Sequence, residues 1–372
     1  MMAAAWFCAG AAAAGMMTGC SRRSIAPEDG GSSPSRARSG RAAPSGKPLR
    51  IAMIAKSASN PAFLSARTGA EDRARALSVE VGAPIEIDWL TPPQEDAQVQ
   101  AERILQAVND RVDAILISCS DGHEVSAAID DAVARGVAVM TFDSDAPRSR
   151  RFSHCGVDDF EMGQRLMAEL AGILILPKGD HQDGRRMVVR PQASLKVAIL
   201  AGNRATSNPH RAVEGVLSEA ARHPELKVLG PFYHAETAQD AGAAVLSTVK
   251  AHPDLAGWAM LGGWPLYNKT LLGELEADAG MSSFKIVAVN ALPPQLIYVE
   301  RGYAPVLLAQ PTYLWGAVGV ETIVKKVLRK QPVPERIPME LVRVTASNLG
   351  AWARQLKTWG FGDVPDEYLR LK

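Results

Sequence analysis

The chain has 372 residues, and its 41 basic and 40 acidic side chains leave a formal net charge of +1. That length is typical of two domains, because single hydrophobic cores stop growing at roughly 250–300 residues. The near-zero net charge argues against a nucleic-acid partner, which would need a basic surface patch. After the N-terminal segment, no run approaches the roughly 18 apolar residues of a membrane-spanning helix.

The first 20 residues have the layout of an export signal. Small and apolar residues fill positions 3–15, and the sequence Met-Met-Thr-Gly-Cys follows and ends at Cys20. An apolar stretch that leads to a cleavage point after small residues is typical of such signals. The Thr-Gly-Cys ending resembles a bacterial lipobox, so Cys20 is the predicted lipidation site. The lipobox pattern has Lys or Arg before the apolar stretch, whereas the first basic residue here is Arg22, and a plain cleaved signal is the alternative.

Residues 21–47 are rich in Ser, Gly, Pro, Arg and Ala, and Ile25 is their one large hydrophobic residue. Such a segment cannot bury enough apolar surface to order itself. We therefore predict a disordered linker that tethers the folded part of the chain to a lipid anchor.

Two cysteines, Cys119 and Cys155, remain once the predicted signal is removed and Cys20 is acylated. In an exported domain they could form a disulfide. The sequence does not show whether their Cα atoms come within about 7 Å, which the bond requires. A disulfide and two buried free thiols therefore both stay open.

From residue 49 onward, short apolar runs alternate with amphipathic helical segments. The runs predict strands at 51–54, 85–90, 114–117, 137–142, 197–200, 227–232, 258–261, 286–289, 306–309 and 339–344. Helices are predicted after the first strand and at 96–108, 125–135, 161–176, 209–222, 238–251, 265–277, 294–301 and 314–329, and a charged surface insertion at 177–194. Near-continuous aliphatic runs indicate strands that are buried on both faces, and strict alternation indicates parallel sheets. About ten strands are too many for one doubly wound domain of about 150 residues, so we predict an α/β fold with two doubly wound parallel-sheet lobes.

Polar side chains follow most of the predicted strands, where open parallel sheets bind their ligands. They include Lys56, Asn60, Asp143, Asn208, Trp264, Asn290 and Gln310. Carboxylates accept hydrogen bonds from hydroxyls, amides both donate and accept, and an aromatic face can cover the apolar side of a sugar ring. This set of groups is suited to a small polyhydroxylated ligand.

Several short segments, in this order, resemble the periplasmic sugar-binding proteins of ABC importers, the ribose-binding type with the periplasmic binding protein type 1 fold. The segments are Asn60-Pro61-Ala62-Phe63, Thr141-Phe142-Asp143-Ser144-Asp145-Ala146-Pro147, Gly156-Val157-Asp158-Asp159 with Gly163, Glu214-Gly215, and Gln310 with Gly316. The resemblance covers residues 49 to about 344 and implies two lobes joined by three crossover segments, near Val157, Phe284 and Pro311. The implied first lobe comprises 48–157 and 285–311, the second 158–284 and 312–345, and residues 346–372 form a C-terminal extension.

The same resemblance assigns roles to individual residues. It implies that Asn60 and Phe63 contact the ligand from the first lobe and that Asp143 binds sugar hydroxyls. Trp264 resembles the contact from the second lobe, and Gln310 matches a hinge glutamine. Asn290, Asn208 and Lys56 complete the predicted set of ligand contacts, whereas Asp145 is interpreted as a turn residue before Pro147.

Three departures from the family pattern bear on the ligand. Asn290 stands where the family commonly has Asp, and Ala62 replaces one aromatic ring. The family's helix-opening arginine falls on Ala212, with Arg211 about 100° further round the helix. These differences indicate a ligand other than a simple pentose.

We therefore predict a solute-binding protein of the periplasm or cell surface, a lipid-anchored monomer without catalytic activity, metal or other cofactor. It would bind a small molecule, a monosaccharide, and deliver it to an ABC permease in the membrane. Phosphate-binding, dinucleotide-binding and nucleophile-elbow motifs are absent from the sequence. One alternative is a receptor subunit for chemotaxis or a sensor kinase, and another is an exported glycosyltransferase-like enzyme that uses Asp143 and Asp145 with a metal. A transcription regulator would need an N-terminal helix-turn-helix, which residues 21–47 cannot form.

Overall fold

The computed structural model describes residues 46–175, 194–204, 207–277 and 284–372. The predicted signal, Cys20, and the predicted linker up to residue 45 lie outside the described residues, as does the predicted insertion except for residue 194. Within the described ranges, no helix is both long enough and apolar enough to span a bilayer.

The first lobe is built on a six-stranded sheet of order β11-β5-β4-β3-β1-β2. Its strands are β1 (Leu49–Ile54), β2 (Ile85–Trp89), β3 (Ala114–Ile117), β4 (Ala138–Phe142), β5 (Ser153–Gly156) and β11 (Arg336–Pro338), and all neighbours are parallel. The helices of this lobe are α1 (Pro61–Val81), α2 (Ala97–Asn109), α3 (Ser126–Ala134) and α9 (Thr312–Val327). Side chains of β1 alternate between its two faces: Ile51 and Met53 join the core under α1 and α9, and Ala52 and Ile54 join the core under α2 and α3.

The second lobe repeats this plan with a sheet of order β12-β10-β9-β8-β6-β7. Its strands are β6 (Leu195–Leu200), β7 (Leu226–Phe232), β8 (Leu255–Met260), β9 (Lys285–Val289), β10 (Val306–Ala309) and the antiparallel edge strand β12 (Val342–Val344). Helices α4 (Asp159–Ile175) and α5 (Ser207–Ala220) cover one face. The other face is covered by α6 (Ala238–Ala251), α7 (Thr270–Ala277), α8 (Leu296–Glu300), α10 (Leu349–Thr358) and α11 (Asp366–Leu369).

One close helix pair in each lobe depends on glycine. A side chain on Gly316 of α9 would clash with the carbonyl of Ala66 in α1, and one on Gly163 of α4 would clash with the carbonyl of Ala212 in α5. Both glycines belong to the segments that carried the family resemblance. They are needed because the helix backbones touch at these points.

The predicted division into lobes is wrong for part of the chain. Residues 285–311 supply β9 and β10, which pair in the second sheet, whereas α9 packs on the first. The chain therefore crosses between lobes near Val157 and Pro311, as predicted, but its third crossing lies at 339–341, between β11 and β12, and not near Phe284. The C-terminal extension is part of the second lobe's core, into which it buries Trp352 and Tyr368.

Two further comparisons with the predictions concern the strands that were not predicted and the state of the two cysteines. Strands β5 and β11 were not predicted, because Ser-His-Cys-Gly has no aliphatic side chain and Arg-Ile-Pro has only one. The strand predicted at 339–344 is shorter in the structure, where β12 spans Val342–Val344. Cys119 and Cys155 are both buried free thiols, and burial raises the pKa of each.

Candidate functional site

A cavity with about 640 Å³ of empty space, including its mouth, lies beyond the carboxyl ends of strands from both sheets. The first lobe contributes Lys56, Asn60, Ala62, Phe63, Asp143 and Trp315 to its wall. The second contributes Asp159, Met162, Asn208, Pro209, Ala212, Glu236, Leu261, Gly262, Trp264, Tyr267 and Asn290, and Gln310 lies beside a crossover. All eight ligand contacts predicted from the sequence therefore line one cavity, and their role as contacts stays a prediction.

Asp143 and Asn290 occupy equivalent places in the two lobes. Each directly follows a strand, and each has a positive φ, +56° and +69°. Among non-glycine residues, Asp and Asn are the most tolerant of this left-handed conformation. The backbone N–H of Asp143 donates to the carbonyl of Cys155 at 3.0 Å, and that of Asn290 donates to Leu308 at 2.8 Å. Both turns are thus tied to the neighbouring strand.

The Asp143 carboxylate has two close neighbours. Its Oδ2 accepts a hydrogen bond from Ser118 Oγ at 2.8 Å and lies 3.9 Å from Lys56 Nζ. Burial by itself would lower the pKa of Lys56, but the carboxylates of Asp143 and Glu95 outweigh it and hold that pKa above its usual value. Lys56 is therefore a buried cation, 7% exposed.

Asn290 has one satisfied and one unsatisfied side-chain group. Its Nδ2 donates to Tyr267 Oη at 3.1 Å. Its Oδ1 is buried and has no hydrogen-bond partner among the described residues, although Asn290 is only 8% exposed. Burial raises the pKa of Tyr267 to about 12, so its phenol keeps a proton to donate. The wall of the second lobe thus offers an acceptor and a donor.

An aromatic cluster forms part of the wall of the first lobe. Phe63 lies 6.4 Å from Phe142 and 6.2 Å from Trp315, measured between ring centres. Trp315 Nε1 is buried and has no partner in the described part of the chain. In the second lobe, Trp264 meets His234 edge to face at 4.8 Å. A ring-shaped ligand would find apolar surface on both sides.

A polar chain joins the lobes across the cavity. Ser144 Oγ hydrogen-bonds Asn208 Oδ1, and Asn208 Nδ2 donates to Asp159 Oδ1 at 3.3 Å and Oδ2 at 3.1 Å. Burial and the nearby Asp143 carboxylate raise the pKa of Asp159 to about 7. Both ends of the Asn208 amide are engaged with protein groups, so Asn208 holds Asp159 in place and links the two lobes.

The structure also gives the positions of Asn60 and of the two residues at the place of the family arginine, Ala212 and Arg211. Asn60 lines the cavity and also caps α1, since its Oδ1 accepts from the backbone N–H of Ala62 at 3.0 Å. Ala212 lines the cavity, whereas Arg211 lies 3.4 Å from Asp158 on the exposed side of its helix. The departure from the family arginine therefore leaves no arginine among the described residues that line this cavity.

Four polar or aromatic residues of the cavity were not predicted from the sequence, namely Asp159, Glu236, Tyr267 and Trp315. Asp159 belongs to a segment that carried the family resemblance, and Tyr267 follows the predicted contact Trp264, so both had a usable signal. Glu236 sits at a positive φ in the loop after β7, and Trp315 reaches the cavity only because α9 packs on the first sheet. Neither position has a local sequence signal.

Asp145 does not line the cavity. Its Oδ1 and Oδ2 accept from Arg151 Nε and Nη2, both at 2.7 Å, and Oδ1 also accepts from Thr141 Oγ1 at 2.6 Å. Among the described residues, no group of three or more His, Cys, Asp or Glu side chains is arranged to hold a metal ion. The Asp145 carboxylate therefore makes its hydrogen bonds inside the first lobe.

Comparison with known proteins gives relatives of one kind. Residues 51–331 match the family described as "Periplasmic binding protein domain". The ribose import binding protein of Escherichia coli is 26% identical over 300 residues, covering 78% of this chain and 88% of that protein. The ribose import binding protein of Bacillus subtilis is 28% identical over 125 residues, covering 34% and 39% of the two chains.

Solved structures show the same fold. A solute-binding protein of an ABC transporter from Burkholderia graminis, in complex with D-arabinose, superposes with a TM-score of 0.67 at 21% identity, covering 81% of this chain and 96% of that one. One from Actinobacillus succinogenes with bound D-allose gives 0.67 at 21% identity, covering 80% and 97%. The family match spans most of the chain, and the predicted resemblance is confirmed. This chain belongs to the periplasmic binding protein domain family.

Proposed function

We propose that this protein captures a small polyhydroxylated ligand, a monosaccharide or a close derivative, between its two lobes and delivers it to an ABC permease. The observation that carries the proposal is a pair of buried, unpartnered groups in one cavity: the acceptor Asn290 Oδ1 from the second lobe and the donor Trp315 Nε1 from the first. A buried polar group without a partner costs roughly 1–3 kcal/mol. A hydroxylated ligand that hydrogen-bonds to both groups would remove this cost.

Five of the predicted contacts have roles that their geometry supports. The Asp143 carboxylate accepts from ligand hydroxyls, because Ser118 and Lys56 leave lone pairs unused. The amide nitrogen of Asn60 can donate, since its oxygen is engaged in the helix cap. Phe63 and Trp264 supply aromatic faces to the ring of the ligand. Gln310 adds an amide beside the crossover at Pro311.

The lobes close by a hinge motion at the three crossovers. A ligand favours the closed form only through contacts that it makes with both lobes. Asp143 and Asn290, which come from different sheets and line the same cavity, would provide such contacts. The bond between Ser144 and Asn208 would form only when the lobes are together.

The same proposal includes where the protein acts and how it is anchored. The protein acts outside the cytoplasm as a monomer without catalytic activity, held to the membrane by a lipid on Cys20. The export-signal layout and the names of the relatives, which are import binding proteins, support this setting.

Binding measurements on the full-length protein test the proposal. A thermal-shift screen of pentoses, hexoses, their amino derivatives and polyols should reveal a stabilising ligand, because ligands raise stability by mass action. Calorimetry should then give an affinity that falls strongly in Asp143→Asn and stays constant in the control Glu161→Gln, which changes an exposed carboxylate. If no compound of the panel binds the wild-type protein, the proposal is wrong.

A further inference from the structure

Acidic side chains outnumber basic ones in the wall of the cavity. Among the described residues of its wall, three carboxylates, those of Asp143, Asp159 and Glu236, face one cation, Lys56. A fourth carboxylate, Glu95, lines the adjoining opening. Burial raises the pKa of Glu95 to about 7, and its Oε1 has no hydrogen-bond partner among the described residues.

The single cation of the wall is already paired. Lys56 Nζ lies 3.9 Å from Asp143 Oδ2, so these two charges compensate each other. Asp159 accepts from the neutral amide of Asn208, and Glu236 Oε1 accepts from the backbone N–H of Asn203 at 2.9 Å. In the described part of the chain, neither of these carboxylates has a basic nitrogen within 4.0 Å.

Nearby basic side chains do not supply the missing charge. Burial lowers the pKa of His234 to about 4, and its Nδ1 accepts from the backbone N–H of Glu236 at 2.9 Å, so the ring is neutral. Arg204 lines the adjoining opening, where its guanidinium lies over the ring of Tyr233 at 4.9 Å. The carboxylates of the second lobe therefore face the cavity without a compensating cation.

A neutral ligand would make this imbalance worse. It would displace water from the carboxylates, and an ion that loses water is stabilised only by an opposite charge or strong donors. A ligand ammonium supplies both, with three N–H donors. Aromatic faces such as those of Trp264 and Phe63 also attract cations. The unpartnered Asn290 Oδ1, in a residue that is 8% exposed, independently calls for a donor from the ligand.

We infer that the preferred ligand carries a protonated amine, so that its class is an amino-substituted sugar or amino polyol. The amine pairs with Asp159, and the hydroxyl groups pair with Asp143 and Asn290. This inference rests on the proposed function, because it names the ligand class of the same cavity. It also accounts for the position of Asp159, whose carboxylate has two oxygens in contact with one amide nitrogen and lone pairs to spare.

Matched sugars separate charge from shape. Calorimetry on the full-length protein at pH 7 would compare D-glucose, D-glucosamine and N-acetyl-D-glucosamine, and the corresponding galactose and mannose series. In at least one series, the free amine should bind about tenfold or more tightly than both neutral members. Raising the salt concentration from about 0.05 to about 0.5 M should weaken binding of the amine more than binding of the neutral sugar.

A variant pair assigns the effect to Asp159. In Asp159→Asn, which keeps the size and the hydrogen-bonding oxygen, the ratio of amine to neutral affinity should fall towards one. In Glu161→Gln, on the exposed side of the same helix, the ratio should equal that of the wild type. If Asp159→Asn does not fold, the ratios of amine to neutral affinity in the wild-type protein, and their salt dependence, still test whether the ligand carries an amine.

The outcomes for the two proposals are distinct. If neutral sugars bind as tightly as their amines, the amine inference is overturned and the proposed function stands. If no sugar or polyol binds, whether charged or neutral, the proposed function fails and the inference fails with it. A preference for amines that persists unchanged in Asp159→Asn would overturn the assignment to Asp159.

Discussion

The loop after β4 presents one aspartate to the cavity and another to the interior of the first lobe. The side chains of Asp143 and Asp145 are almost equally buried, at 16% and 15% exposure. Asp145 makes a bidentate pair with Arg151, whereas Asp143 has one hydrogen bond, from Ser118, and a cation 3.9 Å away. Burial by itself would raise the pKa of Asp145, but Arg151 and His154 hold it below its usual value.

The difference between the two aspartates lies in their partners. Removing a buried carboxylate whose lone pairs are used by the protein destabilises the fold, because its partner is left buried and unpaired. A carboxylate with unused lone pairs, next to a cavity, is available to a ligand. Variants of Asp145 and Asp143 test this contrast directly. Variants of Asp159 and Trp315 extend it to the second lobe and to the aromatic wall.

The largest expected effect is on stability, from Asp145→Ala. This change leaves the Arg151 guanidinium, 4% exposed, without its bidentate partner and with only the exposed carboxylate of Glu335 at 3.7 Å. We expect the free energy of unfolding to fall by about 3–5 kcal/mol. Chemical denaturation measures it. The double variant Asp145→Ala with Arg151→Met should recover part of the loss, because no unpaired charge remains. A loss below about 1 kcal/mol in the single variant would show that the pair is not structural.

The second effect is on binding, from Asp143→Asn, which can keep the positive φ of this position. A charge-assisted hydrogen bond to the ligand is lost, and we expect the affinity to fall by about 2–4 kcal/mol, or roughly 30-fold to 1,000-fold. Calorimetry gives the affinity, and denaturation should show a smaller loss of stability than in Asp145→Ala, because the Glu95 carboxylate still acts on Lys56 and the asparagine oxygen can still accept from Ser118 Oγ. The contrast between the aspartates fails if stability falls more than binding.

The third effect depends on pH and concerns Asp159. Its pKa is raised from 3.8 to about 7 in the folded protein, so the folded state holds a proton that the unfolded state releases. Its contribution to stability is therefore present at low pH and is lost as the pH rises through about 7. Asp159→Asn removes this loss. The free energy of unfolding of the variant minus that of the wild type should therefore increase by about 2 kcal/mol as the pH rises from 5 to 8.

Asp158→Asn is the matched control for this pH effect, since it lies one residue away. Burial would raise the pKa of Asp158, but hydrogen bonds from the backbone N–H groups of Glu161 and Phe160 and the charge of Arg211 lower it. Its difference from wild type should therefore be constant between pH 5 and 8, because the group is ionised throughout. Thermal denaturation between pH 5 and 8 compares the two variants. If their stabilities relative to wild type change equally with pH, the role given to Asp159 is wrong.

The smallest expected effect comes from two tryptophans with unpartnered Nε1 groups. Trp315 lines the cavity and Trp258 is buried in the core of the second lobe. Trp315→Phe should weaken ligand binding by about 1 kcal/mol, because one donor is lost. Trp258→Phe removes a similar group and should leave the affinity unchanged. Equal effects of the two variants on affinity would mean that Trp315 does not donate to the ligand.

Much of the site could be predicted because strand ends are readable in the sequence. An aliphatic run shows where a strand stops, and the next polar side chain, such as Asp143 or Asn290, then lies at the ligand-binding edge. Strand β5 could not be predicted in this way, since its sequence Ser-His-Cys-Gly lacks the aliphatic pattern. The division of the lobes was missed because β9 and β10 are aliphatic on both faces and could pair in either sheet.

The sequence by itself determined the order of most strands and helices, the two-lobe α/β class, and the polar residues at the strand ends, because hydrophobic period and turn chemistry are local properties. Tertiary structure alone decided which sheet each strand joins and where the third crossover lies. It also decided that Arg151 satisfies Asp145, and that Glu236 and Trp315 reach the cavity. These outcomes depend on contacts between residues far apart in the chain, which local patterns do not encode.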